Sequence, residues 1–156
     1  MRLDAATGRA VEVEVYLLRA EAGRLAYRRC AGALGAREDP DAAARRLAGV
    51  PGGAALVHST SWRCEDDGRV VLTYAVLPDP ERGRPALAVG DVGLAYGESA
   101  DRPSPVRVEF AQVALHAARH LAFLVEHDPH VGDVVGRDAG LAAVLASCAP
   151  GLAGRA

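Results

Sequence analysis

The stretch ALVHSTSWRC-EDDG-RVVLTYAVL, from Ala55 to Leu77, decides the architecture. Asp67-Gly68 supplies the positive backbone angles of a tight hairpin turn, so 55–64 and 69–77 are predicted as paired antiparallel strands. Val70 to Leu77 is apolar on both of its alternating faces. A strand of that kind lies inside a sheet and is covered on both sides. Upstream, Asp39-Pro40-Asp41 reads as an Asp N-cap with proline in the first helical turn, opening a short helix through Ala42–Ala48 that Gly49 stops. Further upstream, Val11, Val13, Val15 and Leu17 alternate with Glu12, Glu14, Tyr16 and Leu18, the period of a half-buried strand. Ala22-Gly23 breaks that pattern before Leu25, Tyr27 and Arg29 resume it, which predicts a first hairpin.

Downstream, Pro78 to Pro103 is a long passage rich in Pro and Gly, broken by one apolar patch at Ala86–Val89. Long loops of this kind are often lids or binding segments, and as often plain insertions. Ser104-Pro105 predicts the start of the longest helix, which runs to about His127 and ends at Asp128-Pro129. Asp138–Cys148 predicts a second helix, closed by Pro150-Gly151. The order is hairpin, helix, hairpin, long loop, helix, helix. It predicts an α+β fold in which helices pack a mixed, partly antiparallel sheet.

With 156 residues, half of them hydrophobic, the chain is expected to be a single domain over 1–156. Its formal net charge of -2 argues against a nucleic-acid partner or an anionic membrane surface, both of which reward basic patches. All basic side chains are Arg and none is Lys, a usage that points to a high-GC bacterial genome. Cys30, Cys64 and Cys148 are widely spaced and odd in number, so reduced thiols are expected rather than a disulfide framework. The N-terminus, Met1 to Val11, has no apolar run of signal-peptide length, no stretch approaches a membrane span, and the expected location is cytoplasmic.

The arrangement resembles the Nudix hydrolase fold, in which a hairpin precedes a helix and a second hairpin follows. Ala43-Ala44-Arg45-Arg46-Leu47-Ala48-Gly49-Val50 is similar to that family's catalytic helix, and 56–62 and 70–77 fall where its next strands fall. The resemblance implies an α/β/α sandwich. It also implies a degenerate member. Arg46 stands where the first glutamate belongs, no paired glutamates follow Leu47, and Pro51-Gly52-Gly53 comes after the helix instead of before it. Nudix chemistry needs clustered carboxylates to hold divalent cations against a diphosphate, so the hydrolysis is not expected here.

Two constellations carry candidate chemistry. His58-Ser59-Thr60-Ser61-Trp62 has the His-x-Thr-x-apolar form of two-histidine phosphoesterases, where an imidazole is acid or base and a hydroxyl holds a phosphate oxygen. No second copy of the motif exists. By strand alternation His58, Thr60 and Trp62 share one face and could form a small polar pocket. His116 and His120 are four apart on the last long helix, a spacing that suits one metal, but Ala117 replaces the glutamate of the zinc-peptidase signature. Glu109, Gln112, His116, His120, Phe123 and His127 form one stripe, read most simply as that helix's solvent edge. Arg24, Arg28, Arg29, Arg45, Arg46 and Arg63 could meet an anionic ligand, although scattered solvated charges are the simpler reading.

These readings assign no catalytic residue, no metal and no cofactor, and they leave open whether the chain is an enzyme. They place a ligand at His58, Thr60, Trp62, His116 and His120. The leading expectation is a non-catalytic small-molecule-binding or regulatory domain of Nudix-like fold. One rival is a hydrolase of a phosphate-containing small molecule using His58 and Thr60 or the His116/His120 helix. The other is a homo-oligomeric assembly protein, a homodimer for instance, with Ala86–Val89 as an edge that pairs with a second copy.

Overall fold

The sheet is built around its first strand. The computed structural model describes residues 9–50, 52–95, 99, 101 and 107–150. Strand β1 (Val11–Glu21) pairs antiparallel with β2 (Arg24–Ala33) and parallel with β4 (Val70–Leu77). Strand β3 (Leu56–Cys64) pairs antiparallel with β4, and the two-residue β5 (Leu87–Ala88) with β2, giving the order β3-β4-β1-β2-β5. The fold class is α+β with a mixed sheet, as the order of elements predicted. The Ala86–Val89 patch contributes the short edge strand.

Helices cover both faces. On one, α1 (Pro40–Ala48) buries Ala43, Ala44 and Ala48 against Val13, Val15 and Leu17 of β1 and Tyr74 and Val76 of β4. Its ends are those the sequence implied: the Asp39 carboxylate accepts from the amides of Asp41 and Ala42, and Gly49 takes a left-handed conformation. Tyr74 ties the layers together by donating its hydroxyl hydrogen to Asp41 at 2.6 Å. On the other face, α2 (Phe110–His127), α3 (Pro129–Gly136) and α4 (Ala139–Ser147) pack on Tyr16, Leu18, Leu25, Tyr27, Ala75 and Leu77. The row Glu14-Tyr16-Leu18, expected to be half-buried, is fully covered.

Two expectations need correction on the helical side. The start predicted at Ser104-Pro105 lies outside the described residues, but 107–109 is not helical and α2 begins at Phe110. Glu109 is the cap, its amide donating to the Gln112 side chain at 2.9 Å, so the local capping pair sets the boundary. Asp128-Pro129 does end α2, but it also opens α3, a helix the sequence pattern does not predict. The Asp128 carboxylate accepts from the amides of His130 and Val131. No helix is long and apolar enough to cross a membrane among the described residues.

Candidate functional site

Strand β3 is an edge of the sheet, and α2 lies against it. His58 follows Leu56 in alternation and pairs with Ala75, both on the α2 side, so its ring meets that helix. There the Nε2 atoms of His58 and His120 stand 3.3 Å apart, with ring centroids at 5.1 Å and planes inclined by 64°. Both side chains are half-buried. Burial lowers the proton affinity of His58 below the usual histidine value, against the pull of Asp128 and Asp41. Burial also lowers that of His120, reinforced by its neighbours His58 and His116 and opposed by the Thr60 backbone. Nδ1 of His120 is buried without a full hydrogen bond among the described residues. The seam between β3 and α2 therefore holds two imidazoles biased toward their neutral form.

The other candidate residues divide. Thr60 sits at a register shift between Ser59 and Ser61, the mark of a β-bulge. Its hydroxyl donates to the Thr73 carbonyl at 3.3 Å, and the residue is 3% exposed, which leaves no hydroxyl facing a ligand. The bulge also reverses the alternation. Trp62 pairs with Leu72, which packs on the α1 side, while Arg63 reaches Glu14 on the α2 side. Trp62 therefore does not share the face of His58, and its ring is 64% exposed. A single extra residue in the strand moved it across the sheet.

The polar stripe of α2 is likewise not a solvent edge along its whole length. Gln112 donates to the Gly93 carbonyl of the long loop at 3.2 Å, and His120 meets β3. His116, partly buried, is close enough to His120 to depress its protonation. The stripe opens only at its ends, at Glu109 and again at His127. The exposed His127 there stacks on Phe123 at 4.1 Å, its Nδ1 lying 2.7 Å from the Phe123 carbonyl.

Two buried carboxylates escaped the sequence reading, and both are neutralised by arginine. Glu14, fully buried in β1, accepts from Arg63 of β3, from Arg29 of β2 at 2.9 Å and from the Thr73 hydroxyl at 2.7 Å. Burial alone would raise its pKa, but these donors hold it below the ordinary value. The Arg29 guanidinium packs over the Phe110 ring at 4.0 Å, which seats the start of α2 on this cluster. Asp79, just beyond β4, bridges Arg19 at 3.1 Å and Arg28 at 2.8 Å. It too is kept below its ordinary value against burial, chiefly by Arg28. The signal for Glu14 was its row: with Tyr16 and Leu18 following it, that face of β1 had to lie under a helix.

The arginines are thus not merely scattered surface charges. Arg28, Arg29 and Arg63 serve these clusters, and Arg46 pairs with Glu38 at 2.8 Å. Arg45 donates to the Gly52 carbonyl at 2.7 Å. A shallow cleft of about 480 Å³ lined by Ala42, Arg45, Arg46, Gly49, Val50 and Gly52 opens beside α1, on the face opposite the histidines. Among the described residues, no group of three or more His, Cys, Asp or Glu is placed to hold a metal ion. Comparison with protein-family models, with curated proteins and with solved structures returns no match for this chain.

Proposed function

We propose that this chain is a non-catalytic binding or regulatory domain of Nudix-like layered fold, whose small-molecule ligand docks at the seam between β3 and α2. The observation that carries the reading is the half-buried contact of His58 with His120, two imidazoles disposed to accept or coordinate at neutral pH. The order hairpin, α1, hairpin, with helices on both faces, supports the layered fold. The state of the buried carboxylates supports the absence of catalysis. Glu14 and Asp79 each face two arginines, so neither is a free cation ligand or general base. The Thr60 hydroxyl, bonded to Thr73 and buried, also argues against the phosphoesterase rival.

The test is a panel of nucleotides, sugar phosphates and neutral metabolites, followed by thermal denaturation and by NMR of the histidine imidazoles. A compound that raises the midpoint and shifts His58 and His120, without being consumed, is the expected result. Turnover of any panel member, or binding that leaves both rings unshifted, overturns the reading.

A second reading, self-association, is favoured by the apolar side chains exposed at the sheet's two edges. Trp62 on β3 is 64% exposed and Leu87 on β5 is 65% exposed. Sedimentation of the parent and of Trp62→Ser and Leu87→Ser decides it. A concentration-dependent dimer lost in either variant supports assembly, and a monomer at every concentration rejects it.

A further inference from the structure

We infer that His58 and His120 together form a two-histidine site for a divalent transition-metal ion of the zinc class, through which the bound small molecule is held. The inference rests on the reading of the β3–α2 seam as the binding site and names the chemistry of its ligand.

The argument is geometric. A tetrahedral zinc ion with Zn–N bonds of about 2.0–2.1 Å holds two ligand nitrogens about 3.3–3.4 Å apart. Imidazole rings pointing at such an ion through Nε2 have centroids about 5.2 Å apart. The pair here shows 3.3 Å and 5.1 Å. When the site holds no ion, a neutral pair at this separation shares an N–H···N hydrogen bond.

The surroundings agree with that assignment. Metal ligation requires neutral imidazole, and burial disfavours the protonated form of both rings. The ligands come from two different elements, an edge strand and a long helix packed on the sheet, so their separation is set by the scaffold rather than by one flexible segment. Imidazole ligands suit zinc, copper and nickel more than magnesium or calcium. Two histidines complete half of a tetrahedron. The remaining positions fall to water and to oxygen or nitrogen donors of the small molecule, which ties metal and ligand into one site.

Zinc chloride titrated by calorimetry into the full chain, carrying no affinity tag, is the test. The expected result at pH 7.5 is one ion per chain at a dissociation constant on the order of 10 µM, weakened at least tenfold in His58→Ala and in His120→Ala. His127→Ala, at an exposed ring on the same helix, should bind as the parent does. Imidazole NMR of the parent during the same titration provides a measure independent of any variant's folding: the Nε2 signals of His58 and His120 should shift together at one equivalent. No binding below about 100 µM, binding unaffected by either substitution, or a shift confined to His127 and His130 overturns the inference. If zinc fails while a metal-free panel compound shifts His58 and His120, the metal is wrong and the binding seam stands. If neither shifts them, both are wrong.

Discussion

Glu14 shows how much one side chain can organise. It lies at the middle of the sheet, where an unpaired carboxylate would be strongly disfavoured, and three strands supply its partners: Arg29 from β2, Arg63 from β3 and Thr73 from β4. Glu14→Ala removes the anion and leaves two partly buried guanidiniums facing each other, so it should destabilise by about 3–5 kcal/mol. Urea denaturation checks this, and a loss below about 1 kcal/mol would show the network to be dispensable. The histidine pair predicts a pH dependence. Both rings have folded pKa values below the ordinary 6.5, so near pH 6 the unfolded chain binds more protons than the folded one. Their contribution is fully present above pH 6.5 and is lost as pH falls through the folded values. Glu14 and Asp79 act with the same sign lower down, below their ordinary values of 4.5 and 3.8. Midpoints measured from pH 7.5 downward should therefore begin to fall near 6.5 in the parent. In a His58→Gln, His120→Gln double variant they should hold until about 4.5. Coincident profiles would show that the rings are not perturbed by folding.

At the scale of elements, short signals placed most boundaries. Gly68 ends the β3–β4 turn with φ of 83°, a conformation costly for a β-branched residue, and a Cβ there would meet nothing within 4 Å. Gly68→Val should therefore cost roughly 1–3 kcal/mol through backbone strain alone, with no packing term. An unchanged denaturation midpoint would remove the strain from the account. Asp-Pro occurs at the head of two helices, α1 and α3, and does the same work in both: the carboxylate accepts two amides and proline occupies the first turn. It is legible as a start at Asp39, whereas at Asp128 the long helix before it makes the same pair read as a stop. Asp128→Ala should destabilise by about 1 kcal/mol, seen as a lower melting midpoint together with faster amide exchange at His130 and Val131. Equal exchange rates in parent and variant would deny the cap its role.

For the whole molecule, the two faces of the sheet carry different features. The α1 face holds the cleft lined by Arg45 and Arg46, and the α2 face holds the histidine seam and the Glu14 cluster. On the proposed Nudix-like reading α1 would stand for that family's catalytic helix, yet it carries Arg45 and Arg46 and no glutamate. Magnesium- or manganese-dependent hydrolysis of nucleoside diphosphate compounds is therefore expected to be absent. Turnover above about 1 per second, an ordinary enzymatic rate, would reject that expectation.

The sequence by itself determined most of the elements, because what makes an element is local. Asp67-Gly68 makes a turn, Asp39 with Pro40 and Gly49 bounds α1, and the two-sided apolar run Val70–Leu77 demands an inner strand. Tertiary structure decided what those elements bring together. The bulge at Thr60 sends Trp62 to the opposite face, an effect of strand pairing that alternation counted from His58 alone misses. The contact of His58 with His120 joins residues 62 apart in the chain. Glu14, on β1, collects its partners from three other strands, and the order β3-β4-β1-β2 arises only when the sheet assembles. Local propensity acts over a few residues, whereas charge pairing and imidazole contact act through space, and only the packed sheet fixes which residues are neighbours there.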